Sequence, residues 1–145
     1  MITLLIGGEG TGKTKEMIDL ANARAKVSDG HVVFLSKTER LKLDLVHDIR
    51  VVSLKDYPEI TNSDEYIGFL YGIISSDYDI ESIYVDSVLK QSHVNKEDIP
   101  QFLQRLKVIS EEHDIRFTVS LDGDIDKLSE KYKDFQIIEA TGCGC

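Results

Sequence analysis

Gly7-Gly8-Glu9-Gly10-Thr11-Gly12-Lys13-Thr14 is the stretch whose reading decides the fold. It follows the apolar run Ile2-Thr3-Leu4-Leu5-Ile6 and runs into a helix-like segment beginning near Lys13. A polyphosphate needs several donors converging on it, and a tight loop supplies them by turning its backbone N–H groups inward. Glycine permits the positive φ values this requires and keeps side chains out of the way. A helix opening directly behind the loop adds unpaired first-turn N–H groups and the positive end of its dipole. The spacing therefore predicts a phosphate cradle formed by Gly7, Gly8, Glu9, Gly10, Thr11, Gly12, Lys13, Thr14 and Lys15. In it Lys13 reaches the β- and γ-phosphates and Thr14 offers its hydroxyl to Mg²⁺. The bland alternative is a glycine-rich strand-to-helix turn; the β-type run before the stretch and the helical pattern after it favour the cradle.

The rest of the composition bounds the setting. A chain of 145 residues, 41% hydrophobic and 30% charged, suits one globular domain with a proper core. We expect a nucleotide-binding domain over 1–140 and a flexible tail over 141–145. No apolar run approaches a membrane span, and the N-terminal run reads as a core strand, so a cytoplasmic location without membrane association is expected. Seventeen basic against 26 acidic residues give a net charge of −9, which disfavours nucleic acid as a partner. A homo-oligomer or a protein partner is left open. The cysteines, Cys143 and Cys145, are too close together to staple a core and too few for a zinc site, so they read as exposed tail thiols.

Along the chain, Met17, Ile18, Leu20, Ala21 and Ala25 give an apolar helical stripe to about Lys26, with a turn at Gly30. Val32–Leu35 is a short, wholly apolar run, which suits a strand covered on both faces. Leu41, Leu43, Leu45 and Val46 suggest a weak helix, and Ile49–Leu54 a third strand. After a loop over Asp56–Asn62, Ser63 or Asp64 is expected to cap a helix that buries Tyr66, Ile67, Leu70, Tyr71 and Ile74. Gly68 and Gly72 are expected to let that helix pack closely on the sheet. Ile83-Tyr84-Val85-Asp86 is a strand ending in a carboxylate. Asp98 is expected to cap the clearest helix, with Pro100 and Gln101 in its first turn and apolar residues running to about His113. Ile115–Leu121, a short helix over Asp124–Lys133 and Phe135–Glu139 complete the pattern. Strands alternating with helices define an α/β domain with a mainly parallel sheet and right-handed crossovers.

Asp86 supplies the second piece of chemistry. A carboxylate at the sheet's carboxyl edge, beside a phosphate loop, can hold Mg²⁺ or its water. Loop and carboxylate together, in this order, resemble the P-loop NTPases. Two strand-like runs separate them, and the strand after the first helix ends in Ser36-Lys37 with no Asp. That arrangement resembles the RecA-like branch, where another strand lies between the two signature strands. The resemblance implies a three-layer fold with helices on both faces of a sheet ordered 5-1-4-3-2 or a close variant. It also implies a catalytic glutamate just after the second strand or directly after the signature Asp. Ser87 occupies the latter position, so Glu39 becomes the water-polarising candidate, beside Lys13 on the transferred phosphate. The chain as a whole is similar to very small single-domain P-loop proteins of Gram-positive bacteria, often labelled as ATP-binding or pilus-retraction (twitching motility) proteins. The resemblance rests on Gly7–Thr14, Val32–Leu35, Arg50–Leu54 and Ile83–Asp86.

The expected function is Mg²⁺-dependent binding and hydrolysis of a nucleoside triphosphate, with ATP the expected nucleotide. The alternative is a nucleotide-binding switch that turns over slowly or not at all and acts through a partner, because no catalytic glutamate stands out. A small-kinase reading is weaker, since no Arg pair marks a mobile lid. Glu9 is a further water-orienting candidate, weighed against an ordinary solvated loop acid. Ser120 and Asp122 end the fifth strand and could sense the γ-phosphate. Asp122–Asp126 resembles a Ca²⁺ loop only superficially, because Gly123 is misplaced and Lys133 stands where the bidentate Glu belongs. His31, His47, His93 and His113 show no ligand spacing.

Overall fold

The computed structural model describes residues 1–7, 12–37, 44–86, 96–122 and 135–139. Its apolar runs become strands buried on both faces. In β1 (Ile2–Gly7), Leu4 and Ile6 face one layer and Leu5 the other. In β2 (His31–Ser36), Val33 and Leu35 alternate with Val32 and Phe34 in the same way. This two-sided burial is why both strands read as continuous apolarity and not as alternation.

β3 (Ile49–Ser53), β4 (Ile80–Val85), β5 (Arg116–Asp122) and β6 (Gln136–Glu139) complete a six-stranded sheet in the order β3-β2-β4-β5-β1-β6. Every pairing is parallel. All the carboxyl ends therefore share one edge. α1 (Lys13–Val27) covers one face with Met17, Ile18 and Ala21. α2 (Ser63–Ser76) and α3 (Ile99–His113) cover the other, with Tyr66, Leu70, Phe102, Leu103 and Leu106 in the core. The three-layer α/β fold expected from the sequence is present. Numbered along this chain, the strand order departs from 5-1-4-3-2: β5 lies between β1 and β4, which is the intervening strand the resemblance implied, β6 lies beyond β1, and β3 takes the far edge in place of β2.

Several local expectations give way. Asn62, not Ser63 or Asp64, caps α2, its side chain accepting from Glu65 N at 2.9 Å. Glu65 answers by accepting from the backbone and hydroxyl of Thr61, both at 2.8 Å. Gly68 and Gly72 face open space, so neither serves close packing. Tyr71 is exposed against His113, and Ile73 takes the buried place expected of it. Asp98 precedes α3 in helical geometry and makes no side-chain cap, because a 3₁₀ turn over Lys96–Asp98 feeds directly into the helix. At the other end Asp114 adopts φ 54°, the left-handed cap conformation usually given to Gly or Asn. The weak helix expected around Leu41 lies partly outside the described residues; Leu45 is buried beneath α1, with Asn22 holding Asp44 O and Val46 N at 2.9 Å each. The Asp124–Lys133 helix and the 141–145 tail lie outside the described residues.

Candidate nucleotide site at the carboxyl edge

β1 ends at Gly7, and α1 begins at Lys13 behind Gly12, whose φ of 78° is the left-handed conformation that glycine adopts without strain. Gly12 O accepts from Glu16 N at 3.1 Å, so the helix is hydrogen-bonded from its first turn. First-turn amides lie outside a helix's own ladder, and with the dipole they favour an anion. Glu16 near the start and Arg24 and Lys26 near the end are placed to suit the helix dipole.

Lys13 is 9% exposed, and its ammonium donates to Gly7 O at 3.0 Å. The side chain thus folds back over the end of β1. Thr14 follows on the same turn. Its hydroxyl lies 3.2 Å from Asp86 Oδ2 and 3.4 Å from Oδ1. Asp86 continues β4 past Val85, its amide donating to Leu35 O at 3.0 Å, and is 6% exposed. Ser120, fully buried in β5, donates its hydroxyl to Asp86 Oδ1 at 3.1 Å. Strand register explains the meeting. Val85 pairs with Val119 and Leu5 with Ser120, so Ser120 stands between the two signature strands. Burying a carboxylate is costly unless it is hydrogen-bonded, and these hydroxyls supply part of that satisfaction.

The structure thus brings together Gly7, Gly12, Lys13, Thr14, Asp86 and Ser120. Lys15 is exposed on α1. Gly8, Glu9, Gly10, Thr11 and Glu39 lie outside the described residues. Asp122 pairs with Gly7 in backbone register, which places the end of β5 at the same edge. Sequence reasoning passed over two further hydroxyls: Ser36 and Ser53, buried side by side at the ends of β2 and β3. Ser53 donates to Lys37 O at 3.3 Å. A serine ending an apolar run carries no spacing signal, so nothing in the sequence marked them.

At the opposite edge, fold geometry gathers residues distant in sequence. His31 Nδ1 lies 2.6 Å from Asp77 Oδ2, and Asp79 is close by. The hydrogen bond His31 donates to Asp77, with the charges of Asp77 and then Asp79 added, raises the His31 pKa above its usual value. Arg24 donates to Glu81 Oε1 at 2.6 Å, and Ser28 and Ser82 also donate to that carboxylate. These bonds, Arg24's first, hold Glu81 down to about 2.

The parallel order and the Thr14–Asp86 pair at one edge match the RecA-like P-loop fold. No family model and no curated protein matches the chain. Solved structures do. A KaiC-like protein, PH0186, from Pyrococcus horikoshii is similar over 84% of this chain, with TM-score 0.58 and 18% identity. The flagellar accessory protein FlaH from Methanocaldococcus jannaschii is similar over 95% of this chain and 70% of its own, with TM-score 0.60 and 15% identity. The chain spans 61% of the length of the KaiC-like protein. At these identities the likeness is one of fold. Among the described residues, no helix is long and apolar enough to cross a membrane.

Proposed function

We propose that this domain binds a nucleoside triphosphate together with Mg²⁺ at the carboxyl edge of its sheet and hydrolyses it, with ATP the expected nucleotide. The observation that carries the reading is the convergence of the Thr14 hydroxyl and the Asp86 carboxylate within 3.2 Å, on the turn that also carries Lys13. A hard dication takes oxygen ligands, and a hydroxyl beside a buried carboxylate is a fitting donor set. Thr14 would hold the ion directly and Asp86 directly or through water. Ser120 keeps the carboxylate in place. Bound Mg²⁺ supplies positive charge that offsets the charge on the phosphate oxygens. Lys13 adds a second positive charge, and the α1 amides orient the phosphates. Glu39 is the proposed residue for aligning the attacking water, with Glu9 behind it.

A slow switch is the second reading, favoured by Ser87 standing where a glutamate would follow Asp86. Single-turnover phosphate release with Mg²⁺-ATP and Mg²⁺-GTP separates the two. Release that disappears in Lys13→Ala and falls in Glu39→Gln supports hydrolysis with these roles. Tight binding without release establishes the switch, and release unchanged in Glu39→Gln removes Glu39 from the site.

A further inference from the structure

We propose a second ligand site, beneath the back half of α1, for a small oxyanion: a phosphate or carboxylate group on a short carbon skeleton. A cavity of ≈ 150 Å³ opens there between α1 and the sheet face formed by β4, β5, β1 and β6. Arg24, Arg116, Tyr84 and Thr118 line it, with Leu20 and Ile138 as apolar wall. No Asp or Glu lines it, in a chain whose net charge is −9. Two arginines on one cavity with no carboxylate in its lining form a donor set matched to an oxyanion.

Both cations have donors to give. Arg24 spends its Nε on Glu81, and among the described residues its terminal nitrogens make no hydrogen bond. Glu81 is the extra residue of a β-bulge: His31 pairs with Ile80 and Val32 with Ser82, so Glu81 falls between them. Bulges re-aim side chains. Here Glu81 anchors Arg24 while its own oxygens are engaged by Ser28 and Ser82. Arg116 has no ion-pair partner among the described residues. Tyr84 is fixed by burial, its hydroxyl directed at Leu20 O at 3.4 Å.

Size and position set the ligand class. Ligand pockets for drug-sized molecules run to roughly 300–1,000 Å³, so a cavity of ≈ 150 Å³ suits a ligand smaller than a nucleotide. At about 30 Å³ per water, the cavity holds the equivalent of about five waters, enough for one oxyanion and a short chain. Arg24 lies eleven residues after Lys13 on the same helix, about 16 Å along its axis, so the site is distinct from the phosphate cradle.

The test is a ¹H–¹⁵N titration of the full chain with sodium phosphate, with sodium acetate, and with sodium chloride at matched ionic strength. Phosphate can also enter the cradle, so the amides of Arg24, Arg116 and Thr118 are followed separately from those of Gly12, Lys13 and Thr14. We expect saturable shifts at the first set with phosphate, acetate or both, weakened roughly 10-fold or more in Arg116→Gln. The same substitution leaves the cradle response unchanged. Response to phosphate alone assigns a phosphate ester, to acetate alone a carboxylate. Arg24→Lys, which keeps the charge beside Glu81 but loses the guanidinium fork, must weaken the same response. Shifts confined to Gly12–Thr14, equal in chloride, or indifferent to both substitutions would overturn the proposal.

Discussion

Thr14 Oγ1, in the first turn of α1, lies 3.2 Å from Asp86 Oδ2 at the end of β4, although the strand between β1 and β4 is β5 and the residues are 72 positions apart. On the proposed function this pair is where Mg²⁺ is held. Asp86→Asn is expected to weaken Mg²⁺ in a titration at fixed nucleotide by roughly 10-fold or more, and Thr14→Ala by a similar factor. Ser120→Ala, which removes one bond to Asp86, should shift the same curve by a smaller amount. Unchanged Mg²⁺ dependence in all three variants would detach the ion from this pair.

Gly30 tests the packing that sets the amino edge. A Cβ there would sit 2.6 Å from Asp79 O and 2.8 Å from Glu81 Cβ, the first of these a backbone atom that cannot swing aside. Gly30→Ala is expected to cost about 1–3 kcal/mol in chemical denaturation. A variant as stable as the parent would mean that the turn relaxes freely.

The His31–Asp77 pair makes a pH prediction. His31 is raised above its ordinary 6.5, so its contribution is complete below that value and is lost as pH rises through the higher folded one. Asp77 is lowered from 3.8 by the bond from His31, so its share is present above that value and lost as pH falls through the lower folded one. The stability difference between parent and His31→Gln should therefore be larger near about pH 5.5 than near about pH 8.5. A difference independent of pH would show that the ion pair adds nothing.

Glu81 acts at the acid end. Held down to about 2 from 4.5, it stabilises the fold above 4.5 and loses that contribution as pH falls toward 2. Glu81→Gln is expected to lower stability by about 1–3 kcal/mol near neutral pH, and the gap should close progressively below pH 4.5. A gap that persists into strong acid would assign the loss to packing and not to charge.

The layered fold was readable because each strand is buried on both faces and so appears as an uninterrupted apolar run. Val32–Leu35 and Ile83–Val85 are examples, and only their edges shifted, β4 beginning three residues earlier at Ile80. The core of the candidate site was readable too, since Gly7, Lys13, Thr14 and Asp86 carry their chemistry in residue type and order. Caps were less so: Asn62, Ser63 and Asp64 are all competent, and only backbone geometry selects Asn62. Ser36 and Ser53, the His31–Asp77 pair and the cavity under α1 were invisible for a different reason. Each depends on strand order, and the cavity also on a bulge at Glu81, which no local spacing encodes.

Calorimetric titration of the folded chain with Mg²⁺-ATP, beside Lys13→Ala, tests the central claim most directly. Saturable binding by the parent is expected, with a loss of roughly 10- to 100-fold in the variant, the scale of a charge-assisted bond to phosphate. A parent that is folded by circular dichroism yet binds neither ATP nor GTP, or a Lys13→Ala variant that binds as tightly as the parent, would contradict it.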